Sequence, residues 1–317
     1  MSDLPSTAVI QEVGPRDGLQ IEPKILTVEE KLRLIGAMIG SGLREIEVGS
    51  FVNPKAVPQM AETEAVLAAL PDSGRVRYRA LWLNVKGLQR AAASGRVAMD
   101  GKLTITASET FIRRNTNRSI DDTIAEMPEW IAAYRAIGVE PSALGVMAAF
   151  GCNFEGDVPP ENVVGLIRRV EQVMAGHGCS LRHLRLADTM GWANARQTQR
   201  LVGMVREAWP DIGIRLHLHD TRGQAVTNAF AAMQLGVREF DAATGGLGGC
   251  PFAGNKGAAG NVCTEDLAFM MHECGVDTGI DLEAAAETAR LAESLVGHPL
   301  PGKVMKAGTL AQYRKRG

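Results

Sequence analysis

Leu216-His217-Leu218-His219-Asp220 carries the densest chemistry in the chain. Two histidines spaced i, i+2 inside an apolar run point to the same face of a β-strand. Imidazoles so placed suit one zinc, manganese, cobalt or iron ion, and the following Asp220-Thr221-Arg222-Gly223 puts the site where a strand gives way to a helix. Alone, such a pair is more often the polar alternation of a half-buried strand, so it needs partners from elsewhere. Candidates recur where other apolar runs end: Arg16 and Asp17, Glu47, Asn84, Asp188 and Thr189, and a loop Gly245-Gly246-Leu247-Gly248-Gly249-Cys250. Each alone reads as a turn or cap residue. Their convergence on strand ends singles them out.

The elements that must position them alternate regularly. Strand-like runs are expected at Ala8 to Val13, Glu45 to Val48, Val76 to Trp82, Lys102 to Ala107, Ala143 to Ala148, Leu181 to Ala187, Gly213 to His219 and Val237 to Ala242. Between them lie helical periodicities at Val28 to Gly40, Asp121 to Ile137, Glu161 to Ala175, Ala195 to Ala208 and Gln224 to Leu235, most ending near a capping glycine. Eight strand-helix units of ~30 residues match a parallel (β/α)8 TIM barrel of ~250 residues, whose active site lies at the C-terminal ends of the strands. A doubly wound open sheet uses the same alternation, but the first strand leads into Gly14-Pro15-Arg16-Asp17-Gly18 instead of a GxGxxG turn, and the unit count reaches eight. Further helices at Asn261 to Gly275 and Leu282 to Leu295 precede a Lys/Arg-rich tail. The expected organisation is one catalytic domain over 1–317, with the barrel at about 8–275 and a helical extension at about 276–317.

Composition bounds the partners. With 317 residues, 45% hydrophobic and 22% charged, and a net charge of -2, the chain has no charge excess pointing to nucleic acid or an anionic membrane. Its N-terminus carries neither a signal-peptide pattern nor a transmembrane run, which makes the cytoplasm the expected location. Cys152, Cys179, Cys250, Cys263 and Cys274 are scattered without metal-type spacing and read as reduced thiols, with Cys250 set apart by four glycines in the five residues before it.

Several segments carry a family resemblance. Val13-Gly14-Pro15-Arg16-Asp17-Gly18-Leu19-Gln20, Ile46-Glu47-Val48-Gly49-Ser50-Phe51-Val52, Pro58-Gln59-Met60, His217-Leu218-His219-Asp220-Thr221, Gly246-Leu247-Gly248-Gly249-Cys250-Pro251, Gly260-Asn261 and Thr264-Glu265-Asp266-Leu267 resemble, in order, the 3-hydroxy-3-methylglutaryl-CoA lyase family of DRE-TIM metallolyases. The resemblance implies a barrel enzyme that breaks a carbon-carbon bond next to a carbonyl. It implies magnesium or manganese held by Asp17, His217, His219 and Asn261, and catalytic roles for Arg16, Glu47, Asp188, His217, Cys250 and Glu265. Either Asp188 or His217 would take the substrate hydroxyl proton, Arg16 held by Glu47 would stabilise the enolate, and Cys250 would return a proton to carbon. The implied partner is an acyl-CoA substrate, most naturally 3-hydroxy-3-methylglutaryl-CoA, and the expected assembly is a homo-oligomer, dimer or tetramer.

The sequence departs from the family pattern in four places. The stretch between Cys250 and Asn261 is about two residues longer than usual, the third strand ends Leu81-Trp82-Leu83-Asn84, Ala187 replaces a glycine and Arg222 a tyrosine. Arg222 reads as a solvated loop charge or as a contact to a substrate carboxylate or CoA phosphate. Related activities remain open: a lyase for another thioester such as citramalyl-CoA, a condensing enzyme, or a catalytically silent barrel that binds metal or CoA.

Overall fold

A computed structural model describes residues 4–72, 74–249 and 260–314. Cys250, and with it the stretch up to residue 259, lies outside the described residues. Eight strands form one sheet: β1 (Val9–Glu12), β2 (Glu45–Ser50), β3 (Arg77–Leu81), β4 (Lys102–Thr106), β5 (Ala143–Met147), β6 (His183–Ala187), β7 (Gly213–His217) and β8 (Glu239–Ala242). Their order is β3-β2-β1-β8-β7-β6-β5-β4. Neighbours in space are neighbours in sequence, and the first strand lies beside the last, which is the order of a (β/α)8 barrel and not of a doubly wound sheet.

Contacts gather the described residues into two compact units, one built on Met99–Phe240 and the other on Ser6–Ala98 with Asp241–Gly249 and residues 260–314. In the first, parallel registers align Leu103, Leu144, Leu184 and Ile214 in one row across β4 to β7, and Ile105, Val146, Leu186 and Leu216 in the next. All eight are buried. Period-two alternation gives the other face of the same strands to Thr104, Thr106, Arg185, Arg215 and His217. The aliphatic face takes the helices, among them Pro160–Gly176 and Ala195–Ala208, whose buried stripes are Val163, Ile167, Val170 and Met174, and Leu201, Val202 and Val205.

In the second unit Ile46 faces Tyr78, and the β2 register shifts between Glu47 and Gly49. A bulge of this kind re-aims side chains near a strand end. Helix Val28–Gly40 starts with a capping box, Thr27 accepting from the Glu30 amide and Glu30 from the Thr27 amide.

The expected elements are present, with shifted ends. The span Asp121 to Ile137 is two helices, Ile120–Ala125 and Met127–Ala136, with Pro128 in the first turn of the second. Three helices beyond those expected, Thr63–Ala69, Val85–Ala93 and Glu109–Thr116, are only 7 to 9 residues long, too short for periodicity to show. The basic tail is packed: Val304 and Met305 are buried within the short helix Val304–Ala307. Among the described residues no helix is long and apolar enough to cross a membrane.

One carboxylate joins three segments far apart in sequence. Glu12, fully buried at the end of β1, accepts from the Gly14 amide at 2.8 Å, the Thr244 amide at 3.0 Å and the hydroxyls of Thr244 at 2.8 Å and Thr264 at 2.7 Å. Burial pushes its carboxyl up, and the bonds from Thr264, Thr244 and Gly14 oppose that shift. Glu12→Ala strands several buried donors, each worth about 1–3 kcal/mol unsatisfied. Chemical denaturation should show a loss of at least about 3 kcal/mol, and a loss below about 1 kcal/mol would mean water replaces the carboxylate.

Candidate metal centre and active site

In the unit built on Met99–Phe240, β7 ends at His217, and His219 follows two residues on. Both are buried, with their Nε2 atoms 3.2 Å apart, so the i, i+2 spacing does bring the rings to one side. Arg185 Nη2, one strand over on β6, lies 3.2 Å from His217 Nδ1. Asp188 follows β6 and is 1% exposed. Its Oδ1 accepts from the Trp192 amide at 2.7 Å and its Oδ2 from the Ala193 amide at 3.1 Å. Burial pushes its carboxyl up to about 6, against those two amides and the nearby His217 and Arg222.

In the other unit the π-helical turn Gly14–Gly18 presents Arg16 and Asp17. Arg16 donates from Nε to Glu47 Oε2 at 2.9 Å and from Nη1 to Asp17 Oδ1 at 2.5 Å. Burial alone would pull this guanidinium down, but the charges of Glu47, Asp17 and Asp241 hold it above the ordinary arginine range. It is therefore a fixed cation. Asn261 donates through Nδ2 to Asp17 Oδ2 at 2.9 Å and to the Leu247 carbonyl at 3.1 Å. Its own Oδ1 is buried without a hydrogen-bond partner. Asn261 thus reaches Asp17 despite the longer preceding loop, and two glycines permit it. A Cβ on Gly260 would fall 2.0 Å from the Gly248 carbonyl oxygen, and one on Gly248, whose φ is +100°, 2.8 Å from Asn261 Nδ2.

Asp17 and Asn261 in one unit, and His217 and His219 in the other, are all of residue types that ligate a divalent cation. By type, a carboxylate, two imidazoles and the orphaned amide oxygen of Asn261 are the mixed oxygen and nitrogen donors that a divalent cation takes. The buried Asn261 Oδ1 is the atom whose solvation a cation would restore.

Glu265 is tied to the start of the glycine loop. It is completely buried in helix Thr264–Glu273, accepts from the Gly245 amide at 3.0 Å through Oε2, and leaves Oε1 without a partner. It holds the start of the glycine loop, where Gly245 and Gly246 have φ of +65° and +74°. Three other strand-end residues are caps or struts: Asn84 accepts from the Gly87 amide, Thr189 from Ala148 and Asp220 from Ala225. Arg222 donates to the Gly191 carbonyl at 2.7 Å and the Met190 carbonyl at 3.3 Å. Sequence reasoning passed over Glu12, Arg185 and Asp241; the one available signal was a charge inside a strand-like run.

The HMGL-like family model matches residues 8–292. The chain is 38% identical over 309 residues to the (R)-citramalyl-CoA lyase of Chloroflexus aurantiacus, covering 94% of each chain. It is 40% identical over 276 residues to the hydroxymethylglutaryl-CoA lyase of Pseudomonas mevalonii, covering 87% of this chain and 88% of that one. The solved structure of an HMG-CoA lyase from Acinetobacter baumannii in complex with coenzyme A and 3-methylmalate superposes with a TM-score of 0.85 at 37% identity, covering 98% of both chains.

The buried carboxyl of Glu265 sets a pH dependence. Burial pushes it from 4.5 up to about 8, the neighbouring Asp266 and Glu12 adding to the shift and the Gly245 amide opposing it. Between those values the folded chain keeps a proton that the unfolded chain has released, so stability falls as pH rises through that window. In Glu265→Gln that loss disappears. The variant's thermal midpoint should gain on wild type steadily from pH 5 to pH 8, and a difference independent of pH would show an ordinary carboxylate.

Proposed function

The chain belongs to the HMGL-like family and is a carbon-carbon lyase, and we propose that it cleaves 3-hydroxy-3-methylglutaryl-CoA to acetyl-CoA and acetoacetate with a divalent cation. The observation that carries this reading lies within one unit: Asp17 is bonded both to the buried guanidinium of Arg16 and to Asn261, whose own Oδ1 is left without a partner.

Asp17, His217, His219 and Asn261 would hold magnesium or manganese, which when bound orients and acidifies a substrate hydroxyl beside a carboxylate. The chain's own groups do the rest. Asp188 takes the hydroxyl proton: its carboxyl stands near 6 and is deprotonated at neutral pH, whereas His217 is committed as a ligand. As the carbon-carbon bond breaks, its electron pair passes into the thioester and leaves an enolate. Arg16, fixed by Glu47, offers charged donors to the enolate oxygen, and losing one such donor typically costs about 3 kcal/mol of barrier. Cys250, at the end of the glycine loop that Glu265 anchors, gives the enolate carbon its proton and completes acetyl-CoA.

A citramalyl-CoA lyase reading is favoured by the comparably similar Chloroflexus enzyme. The chemistry is shared, and pyruvate replaces acetoacetate as the second product.

Turnover of the two thioesters with added magnesium or manganese separates the readings by product. Hydroxymethylglutaryl-CoA should be cleaved with the higher kcat/KM, and a preference for citramalyl-CoA reverses the assignment. Chelation should abolish turnover and either ion restore it; full turnover in excess chelator would exclude the metal reading. Cys250→Ser should leave substrate binding intact and lower kcat at least ~100-fold, since a hydroxyl is too weak an acid for the step. Wild-type turnover in that variant would remove Cys250 from the mechanism.

A further inference from the structure

We propose that Trp192, braced by Asn153, is a positioning residue for Asp188, an inference that rests on Asp188 acting as the base. Both carboxylate oxygens of Asp188 are held by the backbone of its own turn, the Trp192 and Ala193 amides. The aim of the carboxylate is therefore the aim of that turn. A turn so short, with Gly191 at a φ of +66°, needs restraint from outside, and the indole of Trp192 supplies it. Its Nε1 donates to Asn153 Oδ1 at 2.6 Å. Asn153 lies between the two short strands Gly151–Cys152 and Gly156–Asp157, which pair antiparallel, so the anchor is a hairpin and not a free loop. The ring lies against the Gly151 backbone, where any Cβ would come within 2.6 Å of it. Arg222 stands over the ring, its guanidinium carbon 6.0 Å from the ring centroid, while bonding the Gly191 and Met190 carbonyls of the same turn. From Ala193 the chain continues through a carbonyl that accepts from buried Asn228. At Trp192 the side-chain tie to the hairpin is an exposed bond, so this flank is the adjustable end.

The test compares Asn153→Ala, which removes the acceptor, with Asn153→Asp, which keeps one, and with Trp192→Phe, which keeps the ring and removes the donor. In the alanine and phenylalanine variants kcat should fall about 5- to 20-fold with KM for the acyl-CoA and the thermal midpoint nearly unchanged, and the aspartate variant should recover most of the loss. The double variant should be no worse than either single one. On metal-free protein, hydrogen exchange at the Trp192 and Ala193 amides should speed up in Asn153→Ala and slow again in Asn153→Asp, a readout that needs no turnover. Unchanged kcat and exchange in Asn153→Ala, with Asp188→Asn inactive, overturn the positioning role alone. Wild-type turnover in Asp188→Asn overturns the base assignment and this proposal with it.

Discussion

The architecture around the catalytic turns depends on one buried carboxylate, Glu12, that accepts from four donors in three segments. A carboxylate at zero exposure is costly to keep unless it is fully hydrogen-bonded. That requirement makes it a register device: the Gly14 amide, Thr244 and Thr264 must all arrive, or the site is worse than an apolar one. Gly14 opens the turn that presents Arg16 and Asp17, Thr244 opens the glycine loop, and Thr264 starts the helix carrying Glu265. The backbone bonds of Val13 to Ala242 and of Ala243 to Val262 and Thr264 close the same knot.

The turn that Gly14 opens carries a buried network of charges. Arg16 is 7% exposed and surrounded by Glu47, Asp17 and Asp241. Buried ion networks of this sort gain little over apolar packing of the same volume, yet they fix a guanidinium so that no reorganisation is needed when charge develops on a substrate oxygen. In the unit built on Met99–Phe240 a different logic applies: Asp188 has no cation within hydrogen-bonding distance among the described contacts and is oriented wholly by backbone amides. Desolvation then raises its carboxyl, as suits a base, where an arginine partner would have lowered it.

Much of this was legible in the sequence. The eight-fold strand and helix alternation, the i, i+2 histidines and the positions of Arg16, Asp17 and Asp188 just beyond strand ends follow from periodicity and turn chemistry, and those local rules hold in the fold, whereas Glu47 lies inside β2, which runs on to Ser50. What periodicity blurs is length: helices of 7 to 9 residues, such as Thr63–Ala69, offer too few turns to stand out. The glycine loop was legible as a cluster, but the reason for each glycine lies in a neighbour elsewhere in the chain, as Gly260 shows against Gly248.

What the sequence by itself determined is therefore which residues can do chemistry and at which end of which element they sit, because both depend on side-chain type and on periods of two and 3.6 residues. Only the tertiary structure decided which polar groups are partnered. It separated Asn84, Thr189 and Asp220, spent on caps and struts, from Asn261, whose amide reaches Asp17 across 244 positions and whose oxygen is left over. It also showed Glu265 bonded to the Gly245 amide at the start of the glycine loop. The physical reason is that a hydrogen bond or a desolvated charge is a property of a pair and its surroundings, and pairs distant in sequence leave no local period to read.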